Sequence, residues 1–179
     1  DHAQRSGVQV DPGHVLVTNG TSPAMLLVFS LLVSPGDEVI VPTPHYPCYP
    51  NFIRVCGGIS VFVATRADEG WRIDPGAVRA AMTERTRAIV LGSPANPTGT
   101  LIDPTQLAGL WQTVRARGGT LIVDEIYHGL TYGVDARTAL EISDEIVVIN
   151  SFSKYFGMTG WRLGWLVVPP HMVRNVEKL

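Results

Sequence analysis

Short runs of β-branched and apolar residues alternate with longer helical patterns along most of the chain, and this alternation constrains the fold most. Strands that alternate with helices are typical of a mostly parallel sheet covered on both faces. We therefore predict an α/β fold, a three-layer α/β/α sandwich. The predicted strands are His14–Thr18, Glu38–Val41, Ile59–Val63, Arg87–Leu91, Thr120–Asp124, Glu145–Asn150 and Leu163–Val168.

Helix-start signals lie between these strands. An aspartate followed by proline, which is an N-cap with proline at the first helical position, occurs at Asp74-Pro75 and again at Asp103-Pro104. Ser22 is predicted to cap an earlier helix. The predicted helices are Ser22–Val33, Tyr46–Cys56, one from Asp74-Pro75, one from Asp103-Pro104 to about Arg117, and one opened by Pro170.

Length and composition suit one soluble domain spanning residues 1–179. Hydrophobic residues make up 45% of the 179, enough for a substantial core. Charged residues make up 17% and the net charge is −2, so no nucleic-acid footprint is indicated. The longest apolar stretch, Ala24–Val33, is shorter than the ~20 residues that cross a membrane, and no secretory signal is evident. These two observations predict a cytoplasmic protein. The histidines have no metal-type spacing, so we expect no metal site.

Polar groups follow the predicted strands, where ligands bind in sheets of this kind. After the first strand, Gly20 allows close backbone approach, and the helix start at Ser22 suits a phosphate; an ordinary capped helix is the alternative. In the loop of residues 92–99, the amide of Asn96 can donate to a phenolate oxygen, although a simple turn is equally compatible. Tyr46 can stack on a flat ring or pack in the core.

Asp124 ends an apolar strand, where an unpaired charge is expensive. A protonated heterocyclic nitrogen would supply a partner, and Tyr127, one helical turn onward, would offer a hydroxyl on the same side. A helix N-cap aspartate with a core tyrosine is the alternative.

Lys154 is one of only two lysines and lies among small and aromatic residues. This neighbourhood predicts that Lys154 is buried. Burial lowers the pKa of an amine, which makes it a nucleophile toward carbonyls. Ser151 and Arg162 can clamp a phosphate. Ser151 and Lys154 also match the serine–lysine pattern of β-lactamases, but the accompanying elements of that pattern are missing.

Together these segments resemble the large domain of class I/II aminotransferases, the fold-type-I pyridoxal-phosphate enzymes related to aspartate aminotransferase. The resemblance runs from about Val15 to Val168. Its most specific parts are Ser-Phe-Ser-Lys at 151–154 with arginine eight residues on, Asn-Pro-Thr-Gly at 96–99, and Asp-Glu-Ile-Tyr at 124–127.

The resemblance implies a role for each candidate residue. Lys154 forms a Schiff base with pyridoxal 5′-phosphate and then moves the proton, while Asp124 pairs with the pyridinium nitrogen. Asn96 and Tyr127 hold the ring oxygen, and Tyr46 stacks on the ring. The residues implied around the phosphate are Gly20, Thr21, Ser22, Ser151 and Arg162.

The activity implied is transfer of an amino group between an amino acid and a 2-oxo acid, in a homodimer. Family chains are longer, so we expect this chain to lack an N-terminal segment and a C-terminal small domain. The same residues would serve a lyase or a cyclopropane-forming synthase of this fold. The aminotransferase-like effector domain of a transcription regulator is a further alternative.

Overall fold

The computed structural model describes residues 6–179, which build one seven-stranded sheet in the order β1-β7-β6-β5-β4-β2-β3. Strand β7 is antiparallel to both of its neighbours, and every other pairing is parallel. The prediction of a mostly parallel sheet is confirmed. The strands are β1 (Val15–Thr18), β2 (Glu38–Thr43), β3 (Ile59–Ala64), β4 (Thr86–Gly92), β5 (Thr120–Asp124), β6 (Val147–Ser151) and β7 (Gly164–Val167).

Helices cover both faces of the sheet, which confirms the three layers. The three central residues of β5 are all apolar because both faces of the strand are buried: Leu121 and Val123 enter one core, and Ile122 enters the other. The first of these cores is shared with α3 and α4, and the second with α1, α2 and α5. The helices are α1 (Thr21–Leu32), α2 (Cys48–Val55), α3 (Pro75–Ala81), α4 (Pro104–Arg115) and α5 (Pro170–Glu177).

Two of the predicted caps are found, and one is not. Asp74 accepts from the amides of Gly76 and Ala77, and Asp103 accepts from the amide of Gln106. Ser22 does not cap α1, because the helix begins one residue earlier and its capping position is Gly20. The first-turn amides of α1 are therefore not capped by any side chain that the structure describes.

Two helix boundaries differ from prediction for local reasons. The helix predicted from Tyr46 begins at Cys48, because Pro47 disfavours a helical conformation for the residue before it. The helix predicted to about Arg117 ends at Arg115, and Gly118, three residues later, turns the chain with a φ of +71°. Across residues 6–179 we find no helix with the length and apolarity to span a membrane.

Candidate active site

A cavity of about 240 Å³ opens at the edge of the sheet where β4 and β5 end and α1 begins. Because β1 runs in the same direction as β4, β5 and β6, the segments that follow these strands meet at this edge. The predicted gathering of polar side chains at one edge is found. The predicted residues that line the cavity are Thr21, Ser22, Tyr46, Asn96, Asp124, Tyr127, Lys154 and Arg162.

Gly20 and Ser151 are the predicted residues that do not line the cavity. Gly20 is buried beneath Arg162, and a Cβ atom at Gly20 would lie 2.5 Å from Arg162 Nη2. Ser151 is only 1% exposed, and its Oγ accepts a hydrogen bond from the amide of Ser153. Ser153, which sequence reasoning missed, lines the cavity instead.

The prediction that Lys154 is buried is wrong, since its side chain is exposed on the rim of the cavity. The neighbouring aromatic residues pack on one another rather than around the lysine. Phe152 contacts both Phe156 and Trp165, with ring centroids 5.1 and 5.0 Å away. Lys154 Nζ instead lies 6.0 Å from the centroid of the Tyr127 ring, at cation–π distance.

Asp124 is the buried acid of the cavity, with 7% of its surface exposed. Its Oδ2 accepts a 3.0 Å hydrogen bond from the Tyr49 hydroxyl, and its Oδ1 accepts a 3.1 Å bond from the amide of Ile126. Burial raises the pKa of Asp124 to about 6, and the two hydrogen bonds oppose that shift. A carboxyl group in this state favours a cationic partner in the cavity.

Tyr49 was not singled out from the sequence, although it lines the cavity and contacts Asp124. Burial and the Asp124 carboxylate raise the pKa of Tyr49 well above its usual range, so its phenol stays protonated and donates. Nothing local to the sequence marks this pair, because the two residues are 75 positions apart. The two side chains meet because the fold brings the first turn of α2, which carries Tyr49, within hydrogen-bond distance of Asp124.

Tyr127 lies in a turn where it reaches the cavity, and the alternative of a helix capped by Asp124 is not found. Residues 125–138 form turns and irregular structure, and the Oδ1 bond to Ile126 closes a turn rather than capping a helix. Tyr46 lies edge-on to Tyr49, with ring centroids 5.5 Å apart. A hydrogen bond with the Cys48 side chain, together with burial, raises the pKa of Tyr46 to about 12.

The opposite end of the cavity is electropositive. Arg162 has a left-handed backbone, and its Nη1 donates to the carbonyl oxygen of Thr159 at 3.0 Å. Its Nη2 lies 3.4 Å from the carbonyl oxygen of Asn19, directly before α1. A guanidinium beside uncapped helix amides is a site for an anion with several oxygens. The cavity therefore combines an amine, a buried carboxyl group and an anion site.

Residues 2–179 match the model of the family described as aminotransferase class I and II. The chain is 42% identical to valine–pyruvate aminotransferase of Mycobacterium tuberculosis, over 100% of this chain and 46% of the relative. It is 37% identical to aspartate aminotransferase of Streptomyces avermitilis, over 97% of this chain and 44% of the relative. The structure of Thermus thermophilus aspartate aminotransferase with maleate superposes with a TM-score of 0.94 at 35% identity, covering 99% of this chain and 47% of the other.

The chain therefore belongs to the aminotransferase class I and II family, whose members depend on pyridoxal 5′-phosphate. It spans less than half the length of the curated relatives that it matches. The donor set of the cavity fits this cofactor. The amine of Lys154 matches the aldehyde, the buried carboxyl of Asp124 matches the pyridinium nitrogen, and Arg162 at the start of α1 matches the phosphate.

Proposed function

We propose that residues 1–179 are the cofactor-binding large domain of an enzyme that transfers an amino group between an amino acid and a 2-oxo acid. The observation that carries this proposal is one cavity lined by Lys154, Asp124 and Arg162. An amine, a buried acid and an anion site match the three functional ends of the family's cofactor. The names of the relatives support the class of reaction.

Lys154 and Asp124 have the central chemical roles in this proposal. When bound, the cofactor supplies an electron sink for the bond broken at the substrate α-carbon. Lys154 Nζ would hold the cofactor at its aldehyde, and the same amine would be the base that carries the proton removed from the substrate α-carbon. Asp124 pairs with the ring nitrogen and keeps it protonated, because an ionised carboxylate buried in the cavity stabilises a cation beside it. Tyr49 holds Asp124 in place for this pairing.

The other lining residues orient the cofactor. Arg162 would bind the phosphate together with the amides and hydroxyls of Thr21 and Ser22, at the positive end of the α1 dipole. Asn96 and Tyr127 would hold the ring oxygen, and Tyr46 would contact the ring. Ser151 reaches the phosphate only if its buried hydroxyl, which accepts from Ser153, also donates into the cavity.

We further propose that the whole protein is a cytoplasmic homodimer. Cys48 and Cys56 are both free thiols, which suits a reducing compartment. Val17 and Trp161 are 76% and 70% exposed, and large apolar side chains exposed to this extent favour contact with a second subunit. Sedimentation of the full-length protein at several concentrations tests the dimer.

Transfer of labelled nitrogen tests the proposed activity directly. We expect the full-length protein to move ¹⁵N from a labelled amino acid to an unlabelled 2-oxo acid, giving a labelled amino acid product. Lys154→Ala abolishes the transfer, whereas the matched variant Lys178→Ala, at an exposed position, retains it. Release of labelled ammonia without a labelled amino acid product would contradict aminotransfer and favour a lyase.

A further inference from the structure

The segment between β5 and β6 carries Tyr127 but has little regular structure of its own. Residues 125–138 contain no helix or strand, and a short 3₁₀ helix follows at Ala139–Glu141. Tyr132 and Val134 near its middle are 90% and 56% exposed. A segment of this kind needs a local anchor if Tyr127 is to keep a fixed place in the cavity.

Glu125 provides contacts to both ends of this segment. Its side chain is completely buried, and its own amide donates to the carbonyl oxygen of Ile149 in β6. Oε1 of Glu125 accepts a 3.0 Å hydrogen bond from Thr138 Oγ1 and a 2.7 Å bond from the amide of Ala139. The carboxyl group at the start of the segment thus holds the end of the same segment.

The second carboxyl oxygen of Glu125 faces the near side of the segment. Oε2 lies 3.4 Å from Nδ1 of His128, and the amide of His128 donates to the carbonyl oxygen of Glu125. Tyr127 is the residue directly before His128, and its ring lies 6.0 Å from Lys154 Nζ. Contacts on both sides of Tyr127 therefore converge on one side chain.

We propose that Glu125 is a positioning residue whose carboxyl group joins the two ends of the 126–137 segment and thereby holds Tyr127 at the cavity beside Lys154. The proposal rests on the function proposed above and assigns to that site a residue outside the cavity. A fully buried carboxyl group is expensive, and a hydrophobic side chain could fill the same volume. What the carboxyl adds is two oxygens: Oε1 accepts from the Thr138 hydroxyl and the Ala139 amide, while Oε2 faces the His128 ring.

The charge state of Glu125 agrees with this arrangement. Burial raises the pKa of Glu125 to about 8, opposed by the bonds from Ala139 and Thr138. The acidic groups that face it, Asp124 and Glu141, raise the pKa further. Near pH 7 the carboxyl therefore keeps its proton for most of the time, and Oε2 can donate toward His128 Nδ1 while Oε1 accepts.

Hydrogen exchange of the ligand-free protein tests whether Glu125 joins the two ends. We expect Glu125→Ala to speed exchange of the Ala139 amide at least about tenfold, since that amide loses its acceptor. Thr138→Val removes the donor to Glu125 and a long 3.4 Å acceptor of the Leu140 amide with little change of shape, so it gives a smaller increase at Ala139 and serves if Glu125→Ala does not fold. Glu125→Gln keeps the acceptor oxygen and stays within about threefold of the wild type. Asp135→Ala, an exposed carboxyl in the same segment, changes nothing.

Two readouts of Tyr127 separate positioning from a purely structural role. We expect Glu125→Ala and Thr138→Val to shift the Tyr127 ring resonances of the ligand-free protein, assigned by their loss in Tyr127→Phe. In the cofactor-loaded protein, we expect the same two variants to move the pH midpoint of the cofactor absorption band by about 0.5 pH units. The midpoint moves in the direction in which Tyr127→Phe moves it. In the Tyr127→Phe background, Glu125→Ala moves the midpoint no further.

Each contrary result overturns the inference. Unchanged Ala139 exchange in Glu125→Ala, or in Thr138→Val where the alanine variant does not fold, shows that the ends are not joined by this carboxyl. Faster exchange with unchanged Tyr127 resonances shows that the contacts support the fold without positioning Tyr127. If the wild-type protein does not bind the cofactor, the proposed function fails, while the exchange and resonance measurements still decide the role of Glu125.

Discussion

Arg162 lies against the α-carbon of Gly20, so close that a Cβ atom there would be 2.5 Å from Nη2. Gly164 approaches Gly20 as well, and a Cβ at Gly164 would lie 2.8 Å from the Gly20 carbonyl carbon. Gly20 also has a φ of +99°, which L side chains rarely adopt. Because Gly20 and Gly164 have no side chains, the guanidinium of Arg162 can lie at the start of α1, where an anion would bind.

Gly20→Ala is expected to displace Arg162 and weaken binding of the cofactor phosphate. The methyl group clashes with the guanidinium, so we expect pyridoxal-phosphate affinity to fall about tenfold. The backbone strain lowers the free energy of unfolding by about 1–2 kcal/mol. Absorption titration and denaturant unfolding measure the two effects.

Gly36→Ala is the matched control for this variant. Gly36 has a φ of +87°, but a methyl group added there would meet open space, with no atom beyond its chain neighbours within 4 Å. It therefore shares the backbone strain of Gly20→Ala without the clash. We expect Gly36→Ala to lose stability and to keep cofactor affinity. Equal affinities in the two alanine variants would show that Arg162 is not held in place by Gly20.

Tyr49→Phe is expected to weaken cofactor binding through Asp124. The Tyr49 hydrogen bond lowers the pKa of Asp124, so its loss raises that pKa further and leaves less carboxylate at neutral pH. Affinity for the cofactor at pH 7 falls about three- to tenfold, and the loss shrinks toward pH 9, where Asp124 is ionised in both proteins. Tyr132→Phe, at a 90% exposed position, is the control. A loss that does not depend on pH would refute this route.

Asp124→Asn is expected to stabilise the ligand-free protein while weakening cofactor binding. Burial raises the folded-state pKa of Asp124 from 3.8 to about 6, so its contribution to stability is fully present below pH 4 and is lost as pH rises through about 6. At pH 7 the neutral amide raises the free energy of unfolding by about 1–2 kcal/mol, and the gain disappears below pH 4. Thermal unfolding between pH 3.5 and 8 measures it, with Asp135→Asn as the exposed control. A variant that is less stable than wild type at pH 8 would contradict this account.

Most of the fold could be predicted because local signals and long-range packing agree. Strand β5 has the bounds that its sequence predicts, since its residues are buried on both faces of the sheet. The caps at Asp74 and Asp103 are predictable for a related reason, as an aspartate before proline needs no distant partner. Where tertiary packing decides, prediction failed. The contacts of Glu125, for example, are made with residues more than ten positions away and were not predicted.

The residues that form the site could be predicted better than the contacts between them. Asn96, Asp124 and Lys154 are identifiable because each lies at or just after the end of a strand and belongs to a specific motif. The predicted burial of Lys154 is wrong because Phe152 packs on Trp165, the other aromatic neighbours pack on one another, and the amine is left at the open rim. Tyr49 was missed because its partner lies 75 residues away in the sequence.

Borohydride reduction of the cofactor-loaded full-length protein, followed by peptide mass spectrometry, tests the central claim most directly. These 179 residues contain two lysines, Lys154 in the cavity and Lys178 near the end of α5. We predict that the peptide with Lys154 carries the mass of the reduced pyridoxyl group and that the peptide with Lys178 does not. An unmodified Lys154, or equal labelling of both lysines, would contradict the account.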